Sequence, residues 1–573
     1  MQKKILIVDD SATSSSMFVS ILYKLGYQDN QTCSDPTAAI RLCQHNAFDV
    51  LVIDYHLNST MNGVELADYL IDHNLIKREA GFLFISGDHR SSTILEALHN
   101  KRASFMIKPI NPNIIKDKLN TLFYNQEIFN ELYALEQTSF EEQFDKATLA
   151  LEECSGHREP HRITDYLVSL SVKYKRYEEL QTLCQQRYEI PTFKLYHIVS
   201  QYELNQLPYQ EALIQLKALT EANPLLIDIH LYTIELHKRN EQPHQAIMAI
   251  ENVIKLLPHQ AEIILSGMEL CLSERENSYF INFAKKLIDC IIENKYHWQV
   301  SFAHYLRLLE SFYIHIQDAQ IRHEFYAENT EIIERLENNY ENLYYQEFAI
   351  LNLCSQFKVS LYLKTGDVAK RDFINQLRKI PIKLDSLSPV LLIELYLTLS
   401  ALGEVWQVKR YHPFIKGLTQ ESNILFNPAV LRHYHDIYVE SLCTLYEENE
   451  RSINQLYPDK ETLISFNTLE RNDLIALHNK FPFSSEISLL SIEEALSKSD
   501  DLPTDHLHHA KSLYDIDLPS DIAKRVLVAM NKLHLNLSED LDDDEIREAD
   551  LSRKKVLLKT LFKPNRTLLS KKL

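Results

Sequence analysis

Glycine is what this chain most lacks: it has 9 in 573 residues, where ordinary usage of about 7% would give roughly 40. Four of the nine (Gly26, Gly63, Gly81, Gly87) fall in the first 123 residues; Gly156, Gly267, Gly366, Gly403 and Gly417 serve the other 450. So little left-handed backbone argues against a turn-rich fold downstream and for helices joined by short connections, rich in Leu, Ile, Glu, Lys and Gln. The 8 cysteines (33, 43, 154, 184, 271, 290, 354, 443) include no CxxC pair, which reads as reduced, mostly buried thiols rather than a disulfide framework. Apolar stretches are broken by charge well before the ~20 residues that span a bilayer, so no membrane span is expected. Met1-Gln2-Lys3-Lys4 runs straight into an apolar segment, so no signal peptide is expected and the protein is expected to be cytoplasmic. Basic charge is short too, with 60 Lys and Arg against 80 Asp and Glu. Residues 1–123 carry 12 against 13, so nearly all the excess acid lies downstream. An acidic region repels a phosphate backbone, and no nucleic-acid partner is expected.

What is present is a set of short apolar runs, each ending on a residue with chemistry. Ile5-Leu6-Ile7-Val8 ends at Asp9-Asp10, and Val50-Leu51-Val52-Ile53 ends at Asp54. Phe82-Leu83-Phe84-Ile85 ends at Ser86-Gly87, and Ala103-Ser104-Phe105-Met106-Ile107 ends at Lys108-Pro109. Runs without polar alternation read as strands buried on both faces of a parallel sheet. In such sheets the functional crevice lies beyond the carboxyl ends of the strands. Three carboxylates at one edge repel one another and call for a cation; an oxygen-only set favours Mg²⁺. A lone Asp after a strand is ordinarily a turn residue or helix cap. The case rests on the set.

Asp, Asp, Ser and Lys in this order, each at a strand end, resemble the receiver domain of bacterial two-component response regulators, over roughly residues 1–123. The resemblance implies a flavodoxin-like α/β fold with a five-stranded parallel sheet. It also implies Asp54 as phosphoacceptor, and Mg²⁺ held by Asp9, Asp10, Asp54 and the main-chain carbonyl of His56. Ser86, Gly87 and Lys108 would meet the phosphoryl group, with Phe105 as the switch aromatic. Lys108-Pro109 is implied to be cis, the common setting for such a bond. The loop Tyr55–Gly63 departs from the family pattern: it is one residue longer than the commonest version and lacks its proline. His56 and Asp88 occupy positions that tune hydrolysis in the family.

Downstream, Ala212 and Pro224 recur 34 residues later as Ala246 and Pro258. Glu211-Ala212-Leu213-Ile214 is echoed by Gln245-Ala246-Ile247-Met248, and Ala369 and Pro381 keep the Ala-to-Pro spacing of 12. A 34-residue period with a small residue early in a helix and proline after it resembles the tetratricopeptide repeat, with residues 270–282 read as an insertion. Such stacks present a concave surface for another protein.

The expected layout is a receiver over 1–123, a connecting helix over 124–153, and tetratricopeptide-like repeats over 154–450. A C-terminal helical region over 451–536 and an acidic-then-basic tail over 537–573 follow. His506, His508 and His509 read as solvated helix surface, with a metal site or phosphotransfer motif as the sharper alternative. The tail turns from acidic (539–550) to basic (553–572) and is expected to dock on the chain's own acidic body. The layout resembles that of auxiliary response regulators. It implies a regulatory phosphoacceptor and binding protein rather than an enzyme, with a sensor histidine kinase and an unidentified protein target as partners. The alternatives are a phosphate sink that competes for a sensor kinase, and an output with cryptic phosphotransfer or enzymatic activity.

Overall fold

The computed structural model describes residues 3–57, 61–99, 102–153, 161–293, 298–339, 345–382, 387–420, 428–497, 512–532 and 543–561. Strands β1 (Ile5–Val8), β2 (Asn30–Cys33), β3 (Val50–Asp54), β4 (Gly81–Ser86) and β5 (Ala103–Ile107) form one parallel sheet in the order β2-β1-β3-β4-β5. Helices α1 (Ala12–Lys24), α2 (Pro36–His45), α3 (Gly63–Asp72), α4 (Ser91–His99) and α5 (Pro112–Ala134) alternate with the strands. Ile5, Ile7 and Val52 pack with α1 and α5 through Phe18, Leu22, Ile115 and Leu119. Leu6, Val8 and Leu51 pack on the other face with Ala39, Leu66, Leu70 and Ala97 of α2, α3 and α4. Successive residues of one strand thus feed two cores, which is why the apolar runs do not alternate. The exception is β2, Asn-Gln-Thr-Cys, a polar edge strand with no apolar run to announce it. A flavodoxin-like receiver fold followed by a large all-helical region is therefore what this chain adopts.

Helix α5 belongs to two cores at once. Ile115, Leu119, Leu122 and Phe123 face the sheet. Ile128, Phe129 and Leu132, further along the same helix, pack with α6 (Phe140–Glu153), α7 (His161–Lys173) and α8 (Tyr177–Gln186). Its 23 residues span about 35 Å at 1.5 Å per residue, so the sheet domain and the helices share a rigid beam. The stack continues through α9 (Pro191–Glu203), α10 (Tyr209–Ala222), α11 (Ile227–Arg239), α12 (Pro243–Leu256), α13 (Ala261–Glu274) and α14 (Asn277–Glu293), each packed on the next. Helices α10, α12 and α14 begin at Tyr209, Pro243 and Asn277, steps of 34 residues. Helices α11 and α13 begin at Ile227 and Ala261, again 34 apart.

The insertion expected at 270–282 is therefore absent. The pattern is hidden because, where Ala212 and Ala246 stood, the third unit has Phe280. Gly267 on the facing helix makes room for a second bulky residue of α14, Phe283, to whose ring a Cβ there would come within 2.8 Å. Pro191 opens α9 at its first turn, where a missing N–H costs nothing.

Two further contacts seat the sheet domain on the stack. Helix α4 packs against α12. Arg162, buried at the start of α7, donates from Nη1 to the carbonyl of Glu79 (3.1 Å) and from Nη2 to that of Arg78 (3.3 Å). Its guanidinium lies 4.0 Å from the centre of the Phe129 ring.

The chain divides into two compact units, Met1–Trp298 and Gln299–Leu573. The second opens with α15 (Trp298–His315), α16 (Ala319–Asn339), α17 (Tyr345–Leu363), α18 (Gly366–Lys379), α19 (Pro389–Leu402) and α20 (Val405–Gln420). Its interior is unusually ionic: Arg307 pairs with Glu394 at 2.6 Å, Lys358 with Glu310 at 3.0 Å, and Lys370 with Glu404 at 2.8 Å. Each buried acid of these pairs is matched by a cation, which offsets the cost of taking its charge out of water. The C-terminal helix Asp543–Leu561 packs on α17, α18 and α19. There Asp550 accepts from the Gly366 N–H (2.8 Å) and Arg553 meets Asp367 (3.3 Å). His506, His508 and His509, and the tail beyond 561, lie outside the described residues. Among the described residues, no helix is long and apolar enough to cross a membrane.

Candidate functional site

Parallel register alone brings the strand-end residues together. Val8 is paired with Ile53, so Asp9 and Asp54 follow side by side. Asp54 is paired with Ile85, which puts Ser86 one step beyond, and Ser86 is paired with Ile107, just before Lys108. One carboxylate oxygen from each of Asp9, Asp10 and Asp54 lies within 4.8 Å of the others. This all-oxygen donor set, part buried and part open, fits a hard divalent cation such as Mg²⁺.

The side chains are held individually. Lys108 Nζ donates to Asp54 Oδ2 at 2.6 Å and stands 3.8 Å from Asp9 Oδ2. The His56 N–H donates to Asp54 Oδ1 (3.3 Å). Asp9 accepts from the Ser11 N–H on Oδ1 (2.8 Å) and from the Ser14 hydroxyl on Oδ2 (2.5 Å), tying it to the first turn of α1. Burial pushes the Asp54 carboxyl above the usual carboxylate range; Lys108 pulls it back and Asp9 adds to the rise. Burial acts to lower Lys108, but the Asp54 hydrogen bond and the charges of Asp54, Asp9 and Asp10 outweigh it and hold the ammonium.

Ser86 is buried, and its Oγ accepts the Asp88 N–H at 3.0 Å. Asp88 in turn accepts from Arg90 Nε (2.8 Å) and Thr93 Oγ1 (2.9 Å), with His56 Nε2 3.8 Å away. Gly87 stands in open space, with nothing within 4 Å of where a Cβ would be. Phe105 is half-buried on β5, packed against the core under α2, α3 and α4. The Lys108-Pro109 peptide is cis. Asn58, Ser59 and Thr60 of the long loop lie outside the described residues.

Sequence reasoning missed three residues around this site. Gly63 begins α3 directly beneath Asp54, where a Cβ would strike the Asp54 carbonyl oxygen. Tyr55, next to Asp54, donates from its hydroxyl to Glu96 Oε2 at 2.7 Å, and both side chains are buried. The one available signal was Glu96 itself, an acid on the apolar face of α4 beside Ala97.

Residues 5–120 match the family described as the response regulator receiver domain. Among curated proteins, a chemotaxis protein CheY from Pseudomonas aeruginosa is 27% identical over 125 residues, 21% of this chain and 95% of that protein. A chemotaxis protein CheY-3 from Vibrio cholerae is 28% identical over 120 residues, 21% of this chain and 91% of that protein. A solved CheY-like receiver domain protein from Methanospirillum hungatei aligns at 24% identity, covering 22% of this chain and 98% of that one, with a TM-score of 0.20. The N-terminal part of the chain is thus a CheY-like receiver domain, of the kind used in two-component phosphorelay signalling.

Proposed function

We propose that the chain is a response regulator in which phosphorylation of Asp54 controls the protein-binding surface of a tetratricopeptide-like scaffold. The observation that carries this reading is the meeting of Asp9, Asp10 and Asp54 with Lys108 at one sheet edge. Asp54 is the nucleophile: a carboxylate oxygen attacks phosphorus and forms an acyl phosphate, while the bond to the donor breaks and the donor keeps the electron pair. The donor in the cell is a sensor histidine kinase. Asp9, Asp10, Asp54 and the main-chain carbonyl of His56 would hold Mg²⁺, which would supply charge neutralisation to phosphoryl oxygens. Lys108, freed from Asp54, supplies a point charge to a phosphoryl oxygen. Ser86 turns its hydroxyl from Asp88 towards the phosphoryl group, Gly87 leaves the approach open, and Phe105 moves with Ser86.

The output follows from the layout: a receiver over 1–123, a joint over 124–153, repeats over 154–450, and helical and tail segments over 451–536 and 537–573. The 34-residue step of the helices supports the repeat reading. Helix α4 begins five residues after Ser86 and packs on α12, so the switch has a short path to the stack. The stack's target is a protein, and the machinery works in the cytoplasm as a regulator rather than an enzyme. The test is Mg²⁺-dependent labelling with a small phosphodonor. Asp54→Ala should abolish the label, and label retained on that variant would place the acceptor elsewhere.

A further inference from the structure

Helix α4 is held to the receiver's working edge at two points of different character. Thr93 and Glu96 lie three residues apart, on one helical face, and both are buried. Thr93 is tied to Asp88 Oδ2 (2.9 Å), and the Asp88 N–H is tied to Ser86 Oγ (3.0 Å). This first tether ends on a hydroxyl that can change partner. If Ser86 turns towards Asp54, the Asp88 amide loses its acceptor and the N-terminal end of α4 loses its hold.

The second tether has no such freedom. Tyr55 donates to Glu96 at 2.7 Å. The Tyr55 N–H is bonded to the Ile85 carbonyl (2.8 Å), and its own carbonyl accepts the Gly63 N–H (2.9 Å). Its ring is buried in the core under α2, α3 and α4. Burial and the charge of Glu96 both push the phenol up, so it stays a donor. The far side of this tether reaches the helical stack through α4 itself, which packs on α12.

We propose that the Tyr55–Glu96 hydrogen bond is the fixed point about which α4 turns, making Tyr55 a positioning residue that converts a change at Ser86 into a displacement of α4 against α12. This rests on the reading of Asp54 as phosphoacceptor and Ser86 as its switch. A helix released at both ends would simply loosen. Released at Thr93 and held at Glu96, it turns, and the residues on α12 feel a direction rather than mobility.

The experiment is hydrogen exchange on the full chain, with and without phosphorylation by phosphoramidate and Mg²⁺, comparing Tyr55→Phe and Glu96→Gln with the unmodified protein. In the unmodified chain, phosphorylation should change exchange in 91–99 and 243–256 together. Tyr55→Phe should take label on Asp54 within twofold of the unmodified rate, because its hydroxyl touches neither Asp54 nor Lys108. Its exchange in 91–99 should be raised roughly tenfold before any phosphorylation, the loss of one hydrogen bond to a charged acceptor. Phosphorylation should then add nothing at 243–256. Glu96→Gln keeps an oxygen acceptor for the phenol and should respond like the unmodified chain. A full response at 243–256 in Tyr55→Phe overturns the proposal, as does loss of response in Glu96→Gln, which would make charge rather than the hydrogen bond the working element. Absence of any response in the unmodified chain overturns the coupling read from Ser86 as well, and is distinguishable because it precedes any substitution.

Discussion

Arg162 offers the clearest test of how the receiver is seated on the helices. Its side chain is 6% exposed, its guanidinium forks onto the carbonyls of Arg78 and Glu79, and its plane covers Phe129. Hydrogen bonds from a charged donor contribute ~1.5–3 kcal/mol each, and a desolvated cation–π contact up to ~2 kcal/mol. Against this stands the cost of keeping a guanidinium out of water, several kcal/mol, which Arg162→Leu would remove. The balance is a loss of about 2–4 kcal/mol, because the substitution also leaves two partly buried carbonyls without their donor. With a urea slope of ~3 kcal/mol per molar, the receiver's unfolding midpoint should fall by about 1 M. Arg162→Lys keeps the charge but lacks the fork, and should recover about half the loss. The change should appear first as faster amide exchange at 77–82 and along α7. A midpoint shift below ~0.2 M, or normal exchange at 77–82, would refute the reasoning and leave α5 and the α4–α12 packing to form the joint.

Three further outcomes are expected. Gly63→Ala should cost ~1–3 kcal/mol of receiver stability, because its Cβ meets the Asp54 carbonyl; a variant as stable as the parent in urea would mean that α3 can shift freely under the site. Asp10→Ala should weaken Mg²⁺ binding at least ~tenfold by calorimetry, and unchanged affinity would remove Asp10 from the ligand set. In the second unit, burial and then the charge of Glu404 push Glu486 up to about 8. The folded state therefore keeps a proton that the unfolded chain has released, and stability should fall as pH rises from about 5 to 8, by at most ~1.4 kcal/mol per pH unit. Glu486→Gln should flatten that fall in a melting series, and identical pH profiles for the two proteins would count against it.

The chemistry of the edge was legible in the sequence because a doubly buried parallel strand announces itself without any partner. Four apolar runs had to be strands, the residue after each had to stand at the carboxyl edge, and Asp9, Asp10, Asp54, Ser86 and Lys108 could be read off in order. The helical character of the remainder was legible from the scarcity of glycine, and the 34-residue step from paired alanines and prolines. Tertiary structure decided what no local pattern encodes. Tyr55 and Glu96 are 41 residues apart and become one hydrogen bond only when α4 is laid against the sheet. Gly63 looked like a helix start and proved to be clearance for the Asp54 carbonyl. The third 34-residue step was hidden in the sequence because Phe280 stands where Ala212 and Ala246 had marked the helix. Chain-local rules fix what each element is and where its reactive residue falls. Which elements touch is fixed by packing volume and register between segments distant in sequence, and there the chain on its own is silent.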